Sequence, residues 1–200
     1  MNDAAIDLYW IPLGAGGNGF VQFNGRVYEA TKARIERRES LALYHTALEV
    51  RTRTERFIVE NAWPSPDANT STRGVVVEGP VFSRRLARFR PFRYEVRRWP
   101  EGVIPDVGEA VESPRRLSAD LDLAQVLLDL VPSVPALTWG RDVPGAGEMW
   151  NSNSVIAWLL ARCGLAMGSI QPPSGGRAPG WTAGIVMARR PNGNGAEKLG

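Results

Sequence analysis

Two strand-like runs place the strongest constraint on what this chain can fold into. They are Tyr44-His45-Thr46-Ala47-Leu48-Glu49-Val50 and Arg56-Phe57-Ile58-Val59-Glu60-Asn61. Both are rich in branched and aromatic residues, and the polar stretch Arg51-Thr52-Arg53-Thr54 between them reads as a turn. The pair therefore reads as an antiparallel hairpin. If Val50 pairs with Glu55 across that turn, His45 faces Glu60 directly, with Cβ atoms roughly 4.5–5.5 Å apart. An imidazole held by a carboxylate is the arrangement of a general base. His45 is the only histidine in the chain.

The rest of the chain supplies more strands and two helices. Residues 6–13 read as a short strand. Asn24-Gly25 between Phe20-Val21-Gln22-Phe23 and Arg26-Val27-Tyr28-Glu29-Ala30 signals a second hairpin. Residues 31–40 read as a charged helix, 64–73 as a polar loop, and 74–80 and 92–99 as strands. Ser118 is a good N-cap for a helix over about 119–130, whose apolar set is Leu121, Leu123, Val126, Leu127 and Leu130. A Gly/Pro-rich loop at 140–147 leads to a second helix at 153–163, closed by Gly164. Residues 181–188 read as a last short strand. This order predicts a single α+β domain over residues 1–190, a mostly antiparallel sheet packed against a few helices, with a disordered tail at 191–200.

Composition narrows the function classes. With one cysteine, Cys163, and one histidine, neither a disulfide framework nor a zinc site is expected, and no cofactor is implied. The N-terminus lacks the basic start and apolar core of a signal peptide, and no apolar run approaches the roughly 20 residues that span a bilayer. A cytoplasmic protein with no membrane partner is expected. The net charge of +3 is too small to imply a polyanionic partner.

The second informative segment is Met149-Trp150-Asn151-Ser152-Asn153-Ser154-Val155, where small polar residues open an apolar helix. One reading is capping, in which Ser152 or Asn151 satisfies orphan N–H groups while Val155, Trp158, Leu159 and Leu160 pack inward. The other places a reactive side chain at a helix N-terminus, where exposed N–H groups stabilise developing negative charge.

A strand bearing His, a neighbouring strand ending in a polar residue and a later helix opening with Asn-Cys resemble the circularly permuted papain-like hydrolases. That clan includes relatives of cell-wall endopeptidases and of lecithin:retinol acyltransferase. The likeness covers residues 43–62 and 148–164, with the middle unmatched. It implies a permuted papain-like fold with His45 as base, Glu60 as its orienting residue and Ser152 where the cysteine nucleophile would stand. Asn151 matches the residue that often precedes that cysteine. As a whole the sequence looks like a group of bacterial proteins to which the resemblance assigns no activity.

Ser152 departs from the pattern, because serine needs full deprotonation by its base whereas cysteine is partly thiolate at neutral pH. Cys163 cannot substitute, since it lies roughly 16 Å further along the helix.

Two further segments invite functional claims. The glycine loop at 14–19 lacks a following Gly-Lys-Ser/Thr and precedes a strand rather than a helix, so it does not read as a phosphate cradle. Arg84-Arg85-Leu86-Ala87-Arg88-Phe89-Arg90-Pro91-Phe92-Arg93, continued by Arg97 and Arg98, could bind phosphates and stack bases, or be a solvated face.

The leading expectation is thus a hydrolase or acyltransferase acting on an amide, peptide or thioester, with an unidentified small-molecule, peptide or protein substrate. The alternative is an inactive member of the same fold that serves as a binding module. A nucleic-acid-associated module using residues 84–98 is a third reading, which the modest charge disfavours.

Overall fold

The computed structural model describes residues 3–13, 41–64, 73–104 and 106–191. Within them lie strands β1 (Ala5–Pro12), β2 (Ala42–Arg51), β3 (Arg56–Ala62), β4 (Val75–Pro80), β5 (Arg93–Pro100), β6 (Val111–Ser118) and β7 (Gly176–Arg177). Three α-helices accompany them: α1 (Leu121–Leu130), α2 (Ser152–Arg162) and α3 (Trp181–Ala188). The sheet order is β4-β5-β3-β2-β1-β6, antiparallel throughout, with β7 adding a short parallel pairing to β2. The chain is an α+β protein. The expected elements at 14–40, the loop at 65–72 and the tail from 192 lie outside the described residues.

Period-two alternation sorts the side chains of β1 and β2 onto two buried faces. Ile6, Leu8 and Trp10, with Tyr44, Leu48 and Val50, join the main core beneath the helices. Ile11 and Ala47 point the other way, into a smaller cluster with Ile58 and Ile104. Ile104 and Ala110 pack on that second face, so both sides of the central strands carry apolar cover.

Helix α2 is the centre of the main core, with every residue from Asn153 to Leu160 buried. Helix α3 lies against it closely enough that a Cβ on Gly184 would sit 2.3 Å from the Ser154 carbonyl oxygen, a distance only glycine allows. This segment reads as a strand in the sequence and is a helix in the fold. Its apolar run is too short and too uniform for periodicity to distinguish the two. Packing on α2 decides the matter.

Two other expectations need correction. Strand β6 was not expected, because Pro114, Arg115 and Arg116 interrupt any strand pattern. It is the edge strand beside β1, with irregular register, where proline and charge are tolerated. The N-cap of α1 is Asp120, not Ser118. Its Oδ1 accepts from the Asp122 and Leu123 N–H groups at 2.8 and 3.2 Å, while Ser118 Oγ accepts from the Asp120 N–H.

Candidate functional site

The β2–β3 register runs Leu48↔Val59, Glu49↔Ile58, Val50↔Phe57 and Arg51↔Arg56. Val50 therefore pairs with Phe57 rather than Glu55, a slip of two residues from the sequence reading. Thr52 causes it. The Thr52 N–H donates to the Glu55 carbonyl at 2.9 Å, and Thr52 Oγ1 accepts from the Glu55 N–H, which confines the turn to Arg53 and Thr54. The strands also part after Leu48↔Val59, as β3 continues along β5 to Ala62↔Glu95. His45 consequently does not face Glu60. Its cross-strand neighbour is Ile11 on β1.

Glu60 belongs to a different cluster. Arg97, opposite it on β5, donates to Glu60 Oε1 at 3.0 Å, to Glu95 Oε2 at 2.8 Å and to the Trp63 carbonyl at 2.9 Å. All three charged side chains are buried. Burial raises the Glu60 carboxyl above its usual range, with Arg97 opposing that rise. Removing water from an ion pair is costly, so the cluster fixes the β3–β5 pairing without creating a reactive group.

The parting of β3 from β2 leaves an edge at Tyr44–Thr46, and the start of α2 docks there. Asn153, 3% exposed, donates from Nδ2 to the carbonyls of Tyr44 and Pro179, both at 2.9 Å, and accepts from Thr46 Oγ1 at 3.0 Å. Asn151 caps the helix, accepting from the Asn153 and Ser154 N–H groups and donating to Pro179. Ser154 Oγ accepts from the Asn151 N–H and donates to the Gly180 carbonyl at 2.8 Å, completing a capping box tied to the α3 entry. Gly180 has φ +87°, and a Cβ there would lie 2.3 Å from Asn151 Oδ1. Only glycine permits this approach.

Ser152 is the first residue of α2 and is half-buried. The next residue, Asn153, makes the contacts to β2, through Tyr44 and Thr46 on either side of His45. Yet His45 leaves the strand on the face opposite Thr46, toward Ile11 and Ala47, and no hydrogen bond links it to Ser152. The Ser152 N–H and Oγ have no hydrogen-bond partner among the described residues. Burial depresses the His45 pKa and keeps the ring neutral, while the Asp106 carboxylate acts in the opposite direction. Asp106 holds a left-handed backbone, φ 60°, in the loop over the second face.

Asp106 is thus a charge felt at His45, whereas the sequence reading expected Glu60 to hold the ring directly. The sequence reading did not single out Asp106, which no local pattern marks. Glu49, which shares strand parity with His45, is engaged by Arg56 at 3.2 Å. Cys163 is buried at the far end of α2, and burial raises its thiol pKa.

The basic segment divides in two. Arg93 pairs with Glu78, Arg97 with Glu60 and Glu95, and Arg98 donates to the last turn of α1 at the Leu128 carbonyl. Arg115 donates to the carbonyls of Ser169 and Gln171, and Arg116 pairs with buried Asp7. In the turn that precedes β5, Arg84, Arg85 and Arg88 are exposed and form no ion pair among the described residues. Among the described residues, no group of three or more His, Cys, Asp or Glu could hold a metal ion, and no helix is long and apolar enough to cross a membrane.

Comparison of the chain with protein-family models, with curated proteins and with solved structures gave no match.

Proposed function

We infer that this chain is a binding module, built on a scaffold similar to that of the permuted papain-like hydrolases, whose acyl-transfer machinery is not engaged. One observation carries the reading. The polar residues that open α2 are committed to a buried structural joint, and Ser152, the residue in the nucleophile position, is not hydrogen bonded to His45. A serine hydroxyl becomes a nucleophile only when a base removes its proton during attack. Here the residue read as the orienter, Glu60, is held by Arg97.

A hydrolase or acyltransferase acting on an amide, peptide or thioester is the second reading. The unpartnered Ser152 N–H, at the positive end of a helix dipole, is suited to an oxyanion donor, and the neutral His45 ring is in the form a base requires. Catalytic hydrogen bonds can tighten only when substrate binds.

A fluorophosphonate probe separates the two. The binding reading expects no adduct on Ser152 in the folded chain. An adduct that maps to Ser152 and disappears in His45→Ala would establish the second reading.

A further inference from the structure

The turn between β4 and β5 has features that the fold does not account for. Between Glu78 and Glu95 the chain holds five arginines and no acidic residue. Arg84, Arg85 and Arg88 are exposed and form no ion pair among the described residues. Arg88 lies over the ring of Phe89, 4.7 Å from its centroid, and that ring is half exposed. Phe82 is more unusual. It is 65% exposed and has φ 59°, a left-handed backbone that bulky residues rarely adopt.

Backbone bonds fix Phe82 in this position. Its N–H donates to the Trp139 carbonyl at 3.1 Å, and the Trp139 N–H donates to Pro80 at 2.8 Å. Arg141, also exposed, donates to the Phe82 carbonyl. Trp139 in turn stacks on Trp63 with centroids 5.7 Å apart, and Trp63 is 45% exposed. Phe82, Trp139 and Trp63 are thus linked in series, with Arg141 at the Phe82 carbonyl and Arg84, Arg85 and Arg88 in the turn that follows Phe82.

We propose that this arginine–aromatic surface docks an acidic segment of a partner polypeptide, with an aromatic or apolar side chain of that segment seated among Phe82, Trp63 and Trp139. Tryptophan and arginine are the residues that most often dominate protein interfaces, and unpaired guanidiniums complement carboxylates. The extent of the charge selects the partner. A nucleic-acid strand needs a basic track along its backbone. Here Arg93, Arg97, Arg98, Arg115 and Arg116, which would extend one, are tied to carboxylates and carbonyls. The free positive charge ends with the turn and suits a short acidic stretch.

The proposal rests on the binding reading and supplies its partner class, but its test does not depend on Ser152. Full-length Ser152→Ala protein is titrated into three fluorescein-labelled probes: a short peptide of alternating glutamate and tyrosine, its glutamine–tyrosine counterpart, and oligothymidylate. The acidic peptide should bind at least about tenfold more tightly than either of the others and weaken as salt is raised. Reversing Arg84, Arg85 and Arg88 together to glutamate should abolish that binding. Phe82→Gly removes the strained side chain without removing charge. It should leave the protein no less stable while weakening binding about fivefold or more. The proposal is overturned if the acidic peptide does not bind, if the glutamine peptide binds equally well, if charge reversal changes nothing, or if oligothymidylate binds more tightly. Fluorophosphonate labelling of Ser152 in the unmodified chain would refute the non-catalytic reading and leave this result unaffected.

Discussion

Asn153→Ala should be the most damaging polar-to-alanine change in the joint that docks α2 on β2. The side chain makes three buried hydrogen bonds, to the carbonyls of Tyr44 and Pro179 and from the hydroxyl of Thr46, which is itself 1% exposed. Each such bond contributes about 1 kcal/mol net, and a stranded buried group adds a desolvation cost of about 1–3 kcal/mol. The expected loss is therefore about 4–6 kcal/mol, a large share of a stability of about 5–15 kcal/mol. Thr46→Val removes one of the three bonds and should cost about 1–2 kcal/mol. Because the two side chains share a bond, the double variant should fall short of the sum by about 1 kcal/mol. Urea unfolding followed by tryptophan fluorescence measures all three. With a slope of about 2 kcal/mol/M, Asn153→Ala should lower the midpoint by about 2–3 M. A shift below about 0.5 M, or strict additivity of the pair, would refute the keystone role assigned to this residue.

Arg97→Met should cost about 3–5 kcal/mol, because Glu60 is left buried without its partner and Glu95 keeps only the longer contact to Arg73 at 3.9 Å. The deficit should shrink in acid, where Glu60 takes up a proton; urea unfolding at two pH values checks both points. His45 gives a second pH dependence. Its folded pKa lies below the unfolded value of 6.5, so the unfolded chain binds a proton that the folded chain refuses. Stability from this group is complete above about 6.5 and is lost as pH falls through the folded value, a slope that His45→Gln should remove. Since Asp106 raises the His45 pKa, Asp106→Asn should move its NMR titration midpoint to lower pH, and an upward move would contradict the assignment. Gly180→Ala should cost about 2 kcal/mol or more, because it combines left-handed strain with a clash against Asn151, and thermal unfolding reports it.

The hairpin of β2 and β3 was legible from branched residues on either side of a polar turn, but its register was not. Turn position depended on Thr52, whose hydroxyl and N–H draw two more residues into the ladder than composition suggests. That slip of two residues kept the side chains on the expected faces and changed every partner, which detached His45 from Glu60. A cap at Ser152 or Asn151 was readable because capping is local chemistry, and the structure selects Asn151. The Asn153 joint was not, since its partners Tyr44 and Pro179 are distant in sequence and are backbone carbonyls that any residue carries. Asp106 was hidden for the same reason: it is far from His45 in sequence and its charge is felt there only in the fold. Residues 181–188 show the limit of pattern reading most clearly, because a short apolar run fits a buried strand and a buried helix equally well.

Whether His45 and Ser152 act as a unit is the central question, and a thiol at position 152 reports on it without any choice of substrate. In a Cys163→Ala background, Ser152→Cys is alkylated with iodoacetamide across the pH range, with His45 intact and with His45→Ala. A cysteine engaged by histidine forms an ion pair and reacts as thiolate far below its ordinary pKa. The account expects one rising pH–rate profile that is the same in both backgrounds, set by the helix N-terminus alone. A low-pH plateau that is present with His45 and absent in His45→Ala would contradict it, and would mean that this chain holds a working acyl-transfer pair.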